Sequence, residues 1–120
     1  MKILIVDDSG SMRHFSKNIL KGLGITEIRE AGDGNEAIKA VSLEKPDLIL
    51  MDWNMPNLNG VEALKKLKAD PATKPIPVIM ITSESEKADI IAAVQAGAAS
   101  YVIKPFNAAI IKEKIAPFMK

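Results

Sequence analysis

Cysteine is absent from the 120-residue chain. Its absence excludes disulfides, thiolate metal sites, iron–sulfur clusters and a cysteine nucleophile, and no oxidising compartment is needed. A charge excess of one sign is also missing. Sixteen basic side chains face fifteen acidic ones, a formal net charge of +1, which argues against a nucleic-acid or membrane-surface partner. No apolar run approaches the ~18 residues of a membrane span. The opening Met1–Val6 is too short for a secretory signal and is interrupted by Asp7-Asp8, so a cytoplasmic location is expected. Internal repeats, low-complexity tracts and a linker are lacking too, and residues 1–120 are read as a single domain.

What remains is an ordinary globular composition, 48% hydrophobic and 26% charged. At this mass a folded domain exposes roughly 6,000 of the ~19,000 Å² of its extended chain, which is enough burial to hold a fold without staples. Short apolar runs alternate with longer amphipathic ones from end to end. Strands are predicted at Lys2–Val6, Glu27–Glu30, Asp47–Met51, Pro77–Ile81 and Ser100–Ile103. Three of them are continuously apolar, as strands are when helices cover both faces of their sheet.

The intervening segments carry helical spacing. Met12, Phe15, Ile19, Leu20 and Leu23 form one stripe, with Gly22 and Gly24 as a stop; Ala37, Ile38 and Val41 form a second; Val61, Leu64 and Leu67 a third. Ile90, Ile91 and Val94 form a fourth, capped at Gly97, and Ile111, Ile115 and Phe118 a fifth, which Pro117 should fray. Five β–α units in succession imply an α/β fold with a doubly wound parallel sheet, helices on both faces and right-handed crossovers. The flavodoxin-like strand order 2-1-3-4-5 is the expected one, with strands 1 and 3 side by side at the switch point.

Ligands of such sheets bind beyond the carboxyl ends of the strands. There the sequence places Asp7-Asp8 after strand 1, Asp52 after strand 3, Thr82 after strand 4 and Lys104-Pro105 after strand 5. Any one acid at such a place is unremarkable as a helix cap or a solvated loop residue. Three together repel one another, at about 3 kcal/mol per pair for ~5 Å and an effective dielectric of ~20. They are consistent with a shared cation, and oxygen ligands without histidine or cysteine point to Mg²⁺, with Mn²⁺ as a substitute. A carboxylate beside such a cation, a hydroxyl and an ammonium can accept a phosphoryl group. Asp52 is the best nucleophile candidate because of its central strand. Asp7 and Asp8 are better placed as metal ligands, while Thr82 and Lys104 can each contact a phosphoryl oxygen.

These residues carry a family resemblance. Val6-Asp7-Asp8 with Ser11-Met12-Arg13, Asp52-Trp53-Asn54-Met55-Pro56-Asn57 with Gly60, Ile81-Thr82-Ser83-Glu84, Ile90-Ile91-Ala92-Ala93, Gln95-Ala96-Gly97-Ala98 and Tyr101-Val102-Ile103-Lys104-Pro105-Phe106 stand in the order and spacing of bacterial response-regulator receiver domains. Over essentially its whole length the chain resembles them, and within them the single-domain chemotaxis regulators. The resemblance implies a two-component phosphorylation switch. Asp52 would take a phosphoryl group from the phosphohistidine of a sensor histidine kinase. Asp8, Asp52 and the backbone carbonyl of Asn54 would hold Mg²⁺, with Asp7 acting through water. Lys104 would contact the phosphoryl group, Thr82 would move toward it, and Tyr101 would turn inward in response. The family's cis peptide would fall at Lys104-Pro105, where proline makes it tolerable.

The same resemblance assigns an output face to Ile90, Tyr101, Ile103 and Lys114, although Ile90 could equally be core. It places Trp53 beside the acidic pocket, where it would report on metal and phosphate. Asn54 and Glu84 would flank the path of an attacking water and tune the phosphoryl lifetime. The expected partners are the kinase, a downstream protein such as the flagellar motor switch, and a phosphatase, with the chain itself a monomer. Since the sequence stops just after the last helix, output is expected in trans.

Other readings stay open. Within the family they are another single-domain relay or a receiver cut from a longer regulator. Outside it is a metal-dependent phosphohydrolase working through an aspartyl phosphate. Such enzymes usually carry an acid or threonine two residues after the nucleophile, where this chain has Asn54, so turnover beyond its own phosphoryl chemistry is not expected. A receiver-like module that is never phosphorylated would have no need of all five site residues. His14 is expected on a solvated rim, Lys65, Lys66, Lys68 and Lys74 on a solvated helix face, and Gly32-Asp33-Gly34 in a turn that caps helix 2 and lacks a phosphate-loop spacing.

Overall fold

Five strands and five α-helices alternate along the chain: β1 (Lys2–Val6), α1 (Gly10–Gly22), β2 (Glu27–Ala31), α2 (Gly34–Leu43), β3 (Leu48–Asp52), α3 (Gly60–Ala69), β4 (Val78–Thr82), α4 (Lys87–Gln95), β5 (Ser100–Ile103) and α5 (Ala108–Ile115), followed by a 3₁₀ turn at Ala116–Phe118. The computed structural model describes residues 1–53, 55, 58–82 and 87–119, with backbone only at 87–89. The strands form one sheet in the order β2-β1-β3-β4-β5, and every neighbouring pair is parallel. This is the doubly wound arrangement expected from the sequence.

Alternation along the central strands sorts their side chains to two cores. Leu4, Val6, Ile49, Met51, Val78 and Met80 face α2 and α3, packing with Ala37, Val41, Ala63, Leu64 and Leu67. Ile3, Ile5, Leu48, Leu50, Ile79 and Ile81 face the other way, onto Leu20 of α1 and Ile111 and Ile115 of α5. All five residues of β3 and of β4 are buried, which is why their first four residues are continuously apolar, whereas β2 and β5 are partly exposed edges.

Among the described residues, four helices start where a side chain accepts the first free amide. Ser9 accepts from Met12 N at 3.3 Å, Asp33 from Glu36 N at 2.8 Å, Asn59 from Glu62 N at 2.9 Å and Asn107 from Ile110 N at 3.0 Å. Each such cap contributes about 1 kcal/mol. All four lie at the carboxyl end of the sheet, so they also fix the loops that carry the acidic residues.

Two of the predicted helix stripes differ from the structure. On α1, Phe15 is 44% exposed and Ser16 is buried; the Phe15 ring instead meets Phe106 at 5.6 Å between centroids. On α4, Ile91 and Val94 are 44% and 56% exposed while Ala93 is buried, and Ala96, just past the helix, packs against the first core. A helix seated on the sheet through alanines lies close to it, and hydrophobic size along the sequence then marks the outer side. The lysine face also needs correcting. Lys68 is partly buried, and its ammonium donates to the carbonyls of Lys74 at 2.8 Å and Ile76 at 2.6 Å. Burial, with the nearby Lys74, lowers its pKa. Its stem runs under Gly97, whose φ of +105° ends α4.

Gly60 opens α3 against the end of β3. Its amide donates to Trp53 O at 2.9 Å, and a methyl group there would overlap the Asp52 carbonyl oxygen. Gly60→Ala is therefore expected to cost about 1–3 kcal/mol and to shift the fluorescence of Trp53. A urea midpoint equal to that of the unchanged protein would show that the loop yields freely.

Candidate functional site

At the carboxyl end of the sheet the ladder runs on just past the strands. Asp7 N donates to Ala31 O at 3.1 Å, Trp53 N to Ile81 O at 2.8 Å and Lys104 N to Thr82 O at 2.8 Å. Neighbouring strand ends are thereby held in fixed register, and their side chains converge. One carboxylate oxygen from each of Asp7, Asp8 and Asp52 lies within 4.8 Å of the other two. Asp7 and Asp52 are only 5% and 4% exposed, and Thr82, the last residue of β4, is 2% exposed. Asp8 is exposed.

Lys104 supplies the counter-charge. Its Nζ lies 2.8 Å from Asp52 Oδ1 and 3.9 Å from Asp7 Oδ2. One ammonium cannot balance three carboxylates. Burial pushes the pKa of Asp52 up, Asp7 and Asp8 add to the rise, and the Lys104 ammonium opposes it. Burial likewise raises the pKa of Asp7, against the Ser9 amide that donates to its Oδ1 at 2.9 Å and against Lys104. The pocket thus disfavours its own charge and is poised for a further cation. Its donors are carboxylate oxygens, the chain has no cysteine, and the one histidine, His14, is exposed on α1. This donor set fits a hard divalent cation of the Mg²⁺ class and not zinc.

Of the residues singled out in the sequence, Asp7, Asp8, Asp52 and Lys104 meet at one point, with Thr82 on the adjoining strand end. Asn54 and Glu84 lie outside the described residues. The Lys104-Pro105 peptide is cis. Trp53 is partly buried and packs on the first core. Tyr101, Ile90, Ile103 and Lys114 are all partly exposed, and Lys114 Nζ sits 5.2 Å from the centroid of the Tyr101 ring. Sequence reasoning gave no role to Arg13 or to the close seat of Gly60. Arg13 lies one helical turn after the cap Ser9, and side chains tilt toward the helix N-terminus. That tilt brings its guanidinium back to the end of β1.

The family model for the response regulator receiver domain matches residues 3–116. The chain belongs to that family. Receiver domains are the phosphorylation switches of two-component systems, signalling proteins and not enzymes in the ordinary sense. A Pseudomonas aeruginosa receiver named chemotaxis protein CheY is 46% identical over 96% of this chain and 93% of its own length. The Vibrio cholerae chemotaxis protein CheY-3 is 46% identical over 96% and 88%. Among solved structures, V. cholerae CheY4 superposes with a TM-score of 0.90 at 30% identity, over 98% of both chains. The signal receiver domain of a Syntrophus aciditrophicus histidine kinase superposes at 0.89 with 32% identity, over 98% of this receiver and 88% of that chain. No helix among the described residues is long and apolar enough to cross a membrane.

Proposed function

We propose that residues 1–120 act as one receiver unit in a chemotaxis pathway, with Asp52 as the phosphoacceptor. The observation that carries this reading is the Lys104 ammonium at 2.8 Å from Asp52 Oδ1, inside a cluster of three carboxylates. Asp52 then has beside it both a basic partner for the incoming group and two further carboxylates for a cation. The names of the 46% identical relatives supply the pathway. The receiver within a histidine kinase keeps a relay outside chemotaxis as the second reading.

In the proposed reaction a carboxylate oxygen of Asp52 attacks the phosphorus of a kinase phosphohistidine. The P–N bond breaks, its electron pair stays on the imidazole, and an acyl phosphate forms on Asp52. Asp8, Asp52 and the backbone carbonyl of Asn54 would hold Mg²⁺, with Asp7 acting through water, and the bound cation would neutralise charge on the transferring group. Lys104 exchanges its bond to Asp52 for one to a phosphoryl oxygen, and Thr82 donates to another. Phosphorylation adds up to two negative charges and three acceptors. The movement of Thr82 toward them vacates space for Tyr101, which shifts the population of the face built from Ile90, Tyr101, Ile103 and Lys114. A downstream protein of the flagellar motor switch reads that face, and a phosphatase resets it.

Trp53, next to Asp52 in the chain, provides the test. Its fluorescence is expected to change saturably with Mg²⁺ and to change again on adding acetyl phosphate or beryllofluoride. The second change should vanish in Asp52→Asn. A Mg²⁺ response with no donor effect would leave a metal-binding module that is not phosphorylated, and the proposal would fail.

A further inference from the structure

The carboxylates of Asp7 and Asp8 project from consecutive residues just past β1, and their relative aim depends on the peptide unit between them. That unit is planar, so whatever fixes the Asp7 carbonyl fixes the plane from which both side chains depart. One side chain does this. Arg13 Nη1 donates to Asp7 O at 2.6 Å, while its Nε donates to Glu30 Oε1 at 3.1 Å. Glu30 is steadied in turn by Lys17 at 3.5 Å. Asp7 N is already tied to Ala31 O, and Asp7 Oδ1 to Ser9 N. Arg13 completes the set by holding the carbonyl.

We infer that Arg13 is a positioning residue for the cation site: it clamps the Asp7–Asp8 peptide to β2 and so sets the distance between the Asp7 and Asp8 carboxylates. The inference rests on the proposed reading that these carboxylates hold Mg²⁺. It makes a prediction opposite in sign to that of simple electrostatics. Removing a positive charge beside an acidic cluster should tighten a divalent cation, whereas releasing the peptide should weaken it. Partners that orient metal ligands from outside the coordination shell are typically worth about 10–100-fold in affinity.

The experiment uses Arg13→Gln and Arg13→Lys. Lysine keeps the charge but lacks the planar fork that reaches Asp7 O and Glu30 together. Mg²⁺ affinity is read by Trp53 fluorescence, folding by thermal melting, and the metal-free protein by amide shifts and hydrogen exchange at Asp8 and Ser9. Both variants are expected to bind Mg²⁺ about tenfold more weakly, and both should lose protection at Ser9 without metal. An equal or tighter Mg²⁺ constant in folded Arg13→Gln overturns the inference, as does an unchanged constant in Arg13→Lys. Unaltered Asp8 and Ser9 amides in the metal-free variants overturn it independently of any cation. If the unchanged protein binds no Mg²⁺ while those amides still move with Arg13, the clamp stands and the metal reading of the carboxylates falls.

Discussion

Asp52→Asn is expected to abolish phosphoryl uptake from acetyl phosphate and, in metal-free buffer at pH 7, to raise the stability of the fold. The first effect follows from chemistry, since an amide has no anionic oxygen to attack phosphorus. The second follows from the environment. Asp52 is 4% exposed, and burial with its acidic neighbours raises its pKa above the ordinary 3.8 in spite of Lys104. A carboxyl whose folded pKa is raised contributes stability that is fully present below the unfolded pKa and is lost as pH rises through the folded one. That contribution falls as pH rises toward neutrality, and a neutral amide of the same shape avoids the loss. The gain expected is about 1–2 kcal/mol, the usual size when a function-driven strain is relieved. It should be largest at neutral pH and shrink toward pH 4. Saturating Mg²⁺ should reverse the order, because a cation that binds only the folded state adds about 2.7 kcal/mol at 100 times its Kd and the amide binds it less well. Urea unfolding at pH 5 and pH 7.5, with EDTA and with Mg²⁺, checks each of these signs. A variant less stable than its parent in EDTA at pH 7.5 would mean that the Lys104 pair outweighs the desolvation of Asp52.

The sequence carried the central strands and the acidic cluster, and it did so for different reasons, whereas the strand order does not follow from periodicity alone and was expected from the doubly wound fold. β1, β3 and β4 are legible because a strand covered on both faces must be apolar at nearly every position, and their runs are too short for a helix. The cluster is legible because side chains at the carboxyl ends of neighbouring parallel strands must meet once the order is known. Strand ends were predicted one residue early for β3 and β4, as Asp52 and Thr82 are polar yet still belong to the ladder. The exposed side of α4 was misjudged because Ala93 does the packing, and a small residue at close range leaves a weaker hydrophobic trace than Val94 on the surface. Lys68 and Arg13 were missed for a shared reason. Each acts through backbone carbonyls, and a carbonyl acceptor has no signature in the sequence.

Lys104→Met gives the second large effect, with its own dependence on pH. The ammonium is 2.8 Å from Asp52 Oδ1 and 3.9 Å from Asp7 Oδ2, so its removal raises both carboxyl pKa values further. The metal-free variant should be less stable than its parent by about 2–3 kcal/mol at pH 7.5, the worth of a hydrogen bond to a charged group. The deficit should shrink as pH falls, because a carboxyl that takes up a proton in the folded state no longer needs the ammonium. Mg²⁺ should also restore stability, and should bind more tightly than in the parent protein, since Lys104 no longer competes for Asp52. Phosphoryl transfer should nevertheless slow by about 10²-fold or more, as when one donor is taken from a developing oxyanion. That combination separates the two roles of the residue, one as a stand-in for the cation and one as a partner for the phosphoryl group. If weaker Mg²⁺ binding accompanied the loss of transfer, Lys104 would be ordering the carboxylates instead of contacting the transferring group.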